Sequence, residues 1–258
     1  MRRRDWMKIA ASATAAWPAL GQSAPAASPK ALVSAASDLR FALADVVAQF
    51  ERDTPHRFTL NFGSSGNFAQ QIRQGLPVEL YLSADEAYVF QLADAGLTQD
   101  RGRLYAIGRI ALLVPAGSTI TLDAELRGLK AQWAQVSRFA IANPAHAPYG
   151  RAATEALQKL GLWELIQSRL VLGENISQAT QFVTTGAAQA GITALSLAQA
   201  PGLAAQSRHL VLPASLHAPL RQRMVLTKRA GSAATALYQY LRSPKAQVVL
   251  QKYGFAVD

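Results

Sequence analysis

The sequence predicts an α/β protein built as two lobes, and three observations carry the prediction. Strand-like and helix-like stretches alternate three times between residues 31 and 96, which calls for a parallel sheet covered by helices. A second alternating set runs from residue 138 to residue 195. Between them lies one long apolar run, Leu104 to Val114, closed by Pro115 and long enough to leave one lobe and enter the other. The two halves look like two copies of one architecture. The expected division is 27–106 plus 217–258 for lobe 1 and 107–216 for lobe 2.

The chain opens with a leader over residues 1–26. Arg2, Arg3 and Arg4 form a positive start, and Ile9 to Leu20 is a short Ala-rich apolar segment. Gln22-Ser23-Ala24 and Ala24-Pro25-Ala26 offer small-residue cleavage sites. Arg3-Arg4-Asp5-Trp6-Met7-Lys8 resembles the twin-arginine export signal, with the general secretory route as the other option. Cysteine is absent, so disulfides, thiol chemistry and a lipid-bearing cysteine are excluded. Export of such a chain points to a periplasmic monomer.

Ala31 to Ala36 reads as a buried strand. Leu39, Leu43, Val46, Val47 and Phe50 mark an amphipathic helix with Ser37 or Asp38 as its N-cap. Arg57 to Phe62 alternates as a strand, and Phe68, Ile72 and Leu76 give a helix beginning at Ser65. Glu79 to Ser83 is a third strand, with Ser83-Ala84-Asp85 capping a helix that ends near Gly96. In the second set, Arg138 to Ala142, Leu170 to Leu172 and Ala190 to Leu195 read as strands. Ala152 to Leu160 and Ile176 to Thr185 read as helices. Met224 to Thr227 is a returning strand. Two closing helices follow, the second with Ser243 as cap, Pro244 in its first turn and Gly254 at its stop.

Charge argues for small anions over polymers. The formal net charge is +10, and without the leader 22 basic residues face 15 acidic ones. The excess is scattered and has no interleaved aromatics, so it is not a nucleic-acid face. It does favour encounter with anions.

The turn Gly63-Ser64-Ser65-Gly66 shows how an anion could be held. It joins a strand to a helix N-terminus, where the first N–H groups have no internal partners and carry about half a positive charge together. Three other turns stand in the same position, at carboxyl ends of strands and leading into helices. They are Ala35-Ala36-Ser37-Asp38, Ala145-His146-Ala147-Pro148-Tyr149-Gly150 and Gly173-Glu174-Asn175-Ile176-Ser177. Two turns belong to each lobe. Meeting at one cleft, they would surround a small dianion with N–H groups and hydroxyls. Each bond to a charged acceptor contributes about 1.5–3 kcal/mol, so several offset the cost of desolvating it.

Across these stretches the chain resembles the periplasmic molybdate-binding proteins, the substrate-binding components of ABC transporters. The resemblance runs from about Ala31 to Ala256 and rests on the order and spacing of several short motifs. They are Ala35-Ala36-Ser37, Phe62-Gly63-Ser64-Ser65-Gly66, Leu82-Ser83-Ala84-Asp85, Tyr105-Ala106-Ile107-Gly108, Asn143-Pro144 to Tyr149-Gly150 and Lys252-Tyr253-Gly254-Phe255. It implies the type II periplasmic-binding-protein fold, two α/β lobes joined by a hinge with the ligand cleft between them. It implies molybdate or tungstate as ligand, no cofactor, no catalysis and a membrane permease as partner. Carried over by position, the ligand contacts are Ser37, Asp38, Ser65, Tyr149 and the backbone of Ile176.

Two departures from the family pattern stand out. Ala194 replaces a tyrosine found in one branch, and Tyr149, in its Pro-Tyr-Gly turn, is expected to substitute. Asp38 stands where the family carries serine or asparagine. Its carboxylate is expected to cap the helix and leave only its N–H to the ligand; the other reading has it accept a proton from a protonated oxyanion.

A receptor for sulfate, phosphate or a related oxyanion is the alternative of the same class. An enzyme on this fold is the alternative of another class, with Asp38, His146 and Glu174 as its only acid–base candidates. His56, His146, His209 and His217 lack the spacing of a metal site, and His56 and His217 read as surface loop residues. Tyr238 and Tyr240 read as packing.

Overall fold

A computed structural model describes residues 30–257. The leader and its cleavage sites lie outside these residues. Among the described residues no helix is long and apolar enough to cross a membrane. The strands in order are β1 (Ala31–Ala36), β2 (Phe58–Gly63), β3 (Leu80–Ser83), β4 (Arg103–Gly108), β5 (Ile110–Pro115), β6 (Phe139–Ala142), β7 (Leu170–Gly173), β8 (Ala190–Ala194), β9 (Ser207–Val211) and β10 (Leu220–Leu226). The first half carries helices α1 (Arg40–Asp53), α2 (Ser65–Arg73), α3 (Glu86–Asp94) and α4 (Arg127–Ala131). Then come α5 (Pro148–Lys159), α6 (Trp163–Ile166), α7 (Ile176–Thr184), α8 (Leu195–Ala198), α9 (Pro201–Ala204), α10 (Ser232–Tyr240) and α11 (Pro244–Lys252).

The strands form two five-stranded sheets, ordered β2-β1-β3-β10-β4 and β7-β6-β8-β5-β9. Each is mixed, not wholly parallel as the βα alternation predicts. β1 runs parallel to β2 and β3, but β10 returns antiparallel between β3 and β4. In the second sheet β5 is antiparallel to both β8 and β9. The physical reason is the crossover itself. A strand that arrives from the other lobe enters a sheet from the opposite end, and local periodicity carries no record of direction.

The apolar run 104–114 is not one strand. It breaks at Arg109, and its halves, β4 and β5, lie in different sheets. Both halves are apolar because both are sheet strands, so hydropathy alone reads them as continuous. β9 escaped the sequence reading because Ser207-Arg208-His209 is polar and the strand lies at a sheet edge.

Each sheet has its own apolar core. Leu39, Leu43, Val46 and Phe50 pack α1 over the first sheet with Leu237, Leu250 and Phe255. Leu112, Phe139, Ile141, Leu157 and Ile166 fill the second. Tyr238 is buried in the first core, and Tyr240 lies against Phe50 at 4.9 Å, so both are packing residues as expected. The Ser243 hydroxyl accepts from Ala246 N–H at 3.3 Å and Pro244 opens α11, as the capping pattern predicts. Gly254 follows at φ +80°, a conformation open to glycine at little cost.

Candidate functional site

Four elements bring their N-terminal turns to one place. The pocket between the sheets is lined by Ala36, Ser37 and Asp38 after β1, and by Gly63, Ser64 and Ser65 after β2. From the second sheet come Ala147, Pro148 and Tyr149 at the start of α5, and Ile176 at the start of α7. The sequence-nominated residues Ser37, Asp38, Ser65, Tyr149 and Ile176 therefore all meet there. The pocket is much smaller than the open groove beside Arg40, Phe41 and Leu203. That size suits a compact ion better than an organic ligand.

The turns are built to leave donors free. Ser64 caps α2 by accepting from Asn67 N–H at 3.4 Å, and Asn175 caps α7 by accepting from Gln178 N–H at 3.1 Å. Pro148 occupies the first position of α5. The helix begins four residues earlier than apolar periodicity indicates, which places the Tyr149 N–H in its first turn. Gly150 permits this, since a Cβ there would meet the Ala142 carbonyl oxygen at 2.2 Å. Among the described residues no protein acceptor takes the N–H of Ser65, Tyr149 or Ile176. Three first-turn N–H groups, from three helices and both sheets, thus remain for a ligand.

Two hydroxyls join them. Ser65 Oγ accepts from Ala84 N–H at 3.0 Å, and Ser37 Oγ accepts from Ser177 N–H at 3.2 Å. An amide on the acceptor side leaves each hydroxyl proton to be donated elsewhere. Both serines are buried.

The two sheets are held together across this pocket. Gly66 N–H donates to the His146 carbonyl at 2.9 Å, and His146 Nδ1 pairs with Ser64 Oγ at 2.9 Å. Ser177 Oγ donates to the Ser37 carbonyl at 2.9 Å, and Ser196 Oγ to the Asp38 carbonyl at 2.8 Å. Arg151 reaches across to Asp85 and, at 3.0 Å, to the Tyr88 hydroxyl. Asn67 donates to Glu174 at the rim. The cleft is closed.

Asp38 departs from its expected role as a cap. Ala36 precedes a 3₁₀ turn over Ser37–Leu39, which runs directly into α1, and no side chain caps either helix. The Asp38 carboxylate turns inward instead. Its Oδ2 accepts from the Tyr149 hydroxyl at 2.9 Å and from Gln222 Nε2 at 2.6 Å. Among the described residues its Oδ1 is buried without a hydrogen-bond partner. A helix start with an unpaired carboxylate oxygen costs more locally than a cap does, so only the tertiary partners explain it. Tyr149 is corrected with it. Its one hydroxyl proton is committed to Asp38, so it does not replace the tyrosine absent at Ala194. What Tyr149 offers a ligand is its N–H.

Burial pushes the Asp38 carboxyl up to about 6. The hydrogen bonds from Gln222 and Tyr149 pull the other way, and the N–H groups of Asp38 and Leu39 do so more weakly. An ionised carboxylate ~4 Å from a dianion would repel each unit of its charge by about 4 kcal/mol at effective ε ≈ 20. The group therefore opposes a dianion strongly when ionised and not when protonated.

The same shift makes a stability prediction. The folded protein holds the Asp38 proton over a pH range where the unfolded chain, at 3.8, has released it. Stability from this group is full below pH 3.8 and is lost as pH rises through about 6. The loss is about 2–3 kcal/mol, at 1.36 kcal/mol per unit. Glu86 and Asp123, held down by Arg223 and by backbone N–H groups respectively, respond in the opposite sense. The wild type should thus lose about that much relative to Asp38→Asn in urea melts at pH 4 and pH 7. Parallel pH curves for the two proteins would contradict it.

His146 lies at the cleft, bonded to Ser64, with Nε2 3.7 Å from Glu174. His217 is not a surface residue; it is buried, with Nδ1 2.7 Å from the Ala218 carbonyl. No group of three or more metal-ligating acids or histidines exists among the described residues. The sequence reading missed Gln222, which carries both Asp38 and, through Oε1, the Tyr105 hydroxyl at 2.7 Å. The expected returning strand began only at Met224, whereas β10 starts at Leu220 and so includes Gln222.

Comparison with known proteins identifies the family of the chain. Residues 31–256 match the family model of the bacterial extracellular solute-binding proteins. The molybdate-binding protein ModA of Azotobacter vinelandii is 37% identical over 88% of this chain and 89% of its own. ModA of Rhodobacter capsulatus is 35% identical over 97% of each. The solved periplasmic molybdate-binding protein of Azotobacter vinelandii superposes with a TM-score of 0.82, at 29% identity, covering 89% of this chain and all of that one. With two mixed α/β sheets closing on a pocket of helix N-termini, the chain belongs to the bacterial extracellular solute-binding proteins, and its relatives there include the molybdate-binding components of ABC transporters.

Proposed function

We propose that the protein is the periplasmic receptor of an ABC transporter, that it binds molybdate and tungstate as a monomer, and that it passes the ion to a membrane permease. The observation that carries this is the set of free N–H groups of Ser65, Tyr149 and Ile176, with the Ser37 and Ser65 hydroxyls, around one small buried pocket. These are neutral donors converging from two lobes, which is how a compact, fully dehydrated oxyanion is held without a counter-cation. The molybdate-binding relatives support molybdate among the tetrahedral oxyanions. The site's work is binding, and its donors suit a ligand that leaves as it came.

Molybdate at a thousandfold excess over Kd should stabilise the protein by about 4 kcal/mol, seen as a rise in Tm. Ser65→Ala removes one donor to a charged acceptor and should take about 1.5–3 kcal/mol from the binding free energy. Ser118→Ala should leave the shift intact, since Ser118 lies in a loop of the second lobe, where its hydroxyl accepts from Ile120 N–H at 3.2 Å. No shift with any tetrahedral oxyanion would reject the receptor reading.

A further inference from the structure

We propose that a dianion binds this site together with one proton, taken up by Asp38, whose protonated Oδ1 becomes a further hydrogen-bond donor to the ligand. The inference rests on the receptor reading and concerns how that site is neutralised.

Three structural facts carry it. Asp38 lines the pocket and is 1% exposed. Its two oxygens are inequivalent, since Oδ2 accepts from Tyr149 and Gln222, while among the described residues Oδ1 has no partner beyond the weak pull of the N–H groups of Asp38 and Leu39 on the carboxylate. A proton placed on Oδ1 disturbs neither existing bond and turns an orphaned acceptor into a donor. Among the described residues no cation offsets the carboxylate. From α5 it faces Tyr149, from β10 the neutral Gln222, and beyond that Tyr105 on β4. Burial and the neighbouring carboxylate hold both of those phenols well above their usual range, so neither supplies a proton. Ser196 on α8 bonds only the Asp38 carbonyl. The other titratable pair at the cleft, His146 and Glu174, bonds to Ser64 and Asn67 and not to Asp38.

The balance is simple. One proton leaves solvent and binds Oδ1 as the dianion enters, no covalent bond to the ligand forms, and the closed site gains one negative charge instead of two. Protonating a carboxyl whose value is about 6 costs roughly a factor of 30 at pH 7.5. The repulsion avoided is larger than that. The free carboxyl and the liganded carboxyl therefore stand in different states across neutral pH.

Titration calorimetry with molybdate, which is dianionic throughout neutral and mildly alkaline pH, tests this. Runs at pH 7.5 in buffers of different ionisation enthalpy count the protons. The wild type should take up close to one per molybdate, and its affinity should fall about tenfold per pH unit above 6.5. Asp38→Asn, which presents an amide donor permanently, should take up none and show flat affinity. Binding by the wild type with no proton uptake and no pH dependence overturns the proposal, whether or not the variant folds. Proton uptake that persists in Asp38→Asn also overturns it. Absence of molybdate binding to either protein overturns the receptor reading instead.

Discussion

Gly66→Ala weakens oxyanion binding by about 5- to 150-fold while the ligand-free protein keeps its stability. A Cβ at residue 66 would lie 2.7 Å from the His146 carbonyl oxygen and 2.8 Å from the Tyr88 hydroxyl. The first of these is the acceptor of the Gly66 N–H bond across the cleft. Backbone cannot yield as a flexible side chain does, and such overpacking costs about 1–3 kcal/mol. The contact joins the two lobes, so the cost falls on the closed, ligand-binding form. Within α2 itself alanine is a better helix former than glycine by about 1 kcal/mol, which keeps the first lobe sound. Titration calorimetry reads the affinity, and a melt without ligand reads the fold. An affinity unchanged by the substitution would show that closure does not use this contact.

Phe139→Ala should have the largest effect on stability, about 3–5 kcal/mol. Phe139 is fully buried on β6, which pairs with both β7 and β8, and its ring lies 6.3 Å from that of Trp133. Removing it leaves a cavity in a core held by strands on both sides, where collapse is restricted. The loss is a large share of the 5–15 kcal/mol typical of a folded domain. Beyond the leader the tryptophans are Trp133 and Trp163, both in the second lobe. Their fluorescence therefore follows this lobe during a urea melt. A change below 1 kcal/mol would mean that the β6 core is not the support of the turn that carries Tyr149.

The expected closed site and the unexpected Asp38 come from the same four turns. The family resemblance already brings Ser37, Asp38, Ser65, Tyr149 and Ile176 together, and the structure places them around one pocket. What differs is the direction of two side chains. A sequence pattern specifies that Tyr149 follows Pro148, but not that its hydroxyl meets a carboxylate 111 residues earlier in the chain.

The sequence by itself determined the alternation of strand and helix, the caps at Asp85 and Ser243, and the four turns that line the pocket. These depend on local physics, namely apolar period, glycine, proline and short polar side chains that bond their own backbone. Tertiary structure alone decided the break of 104–114 at Arg109, the antiparallel return of β10, and the partners of Asp38. Each of those depends on which distant segment lies alongside. A carboxylate two residues into a helical turn reads as an ordinary N-terminal acid until Gln222 and Tyr149, from a returning strand and from the other lobe, enclose it away from water.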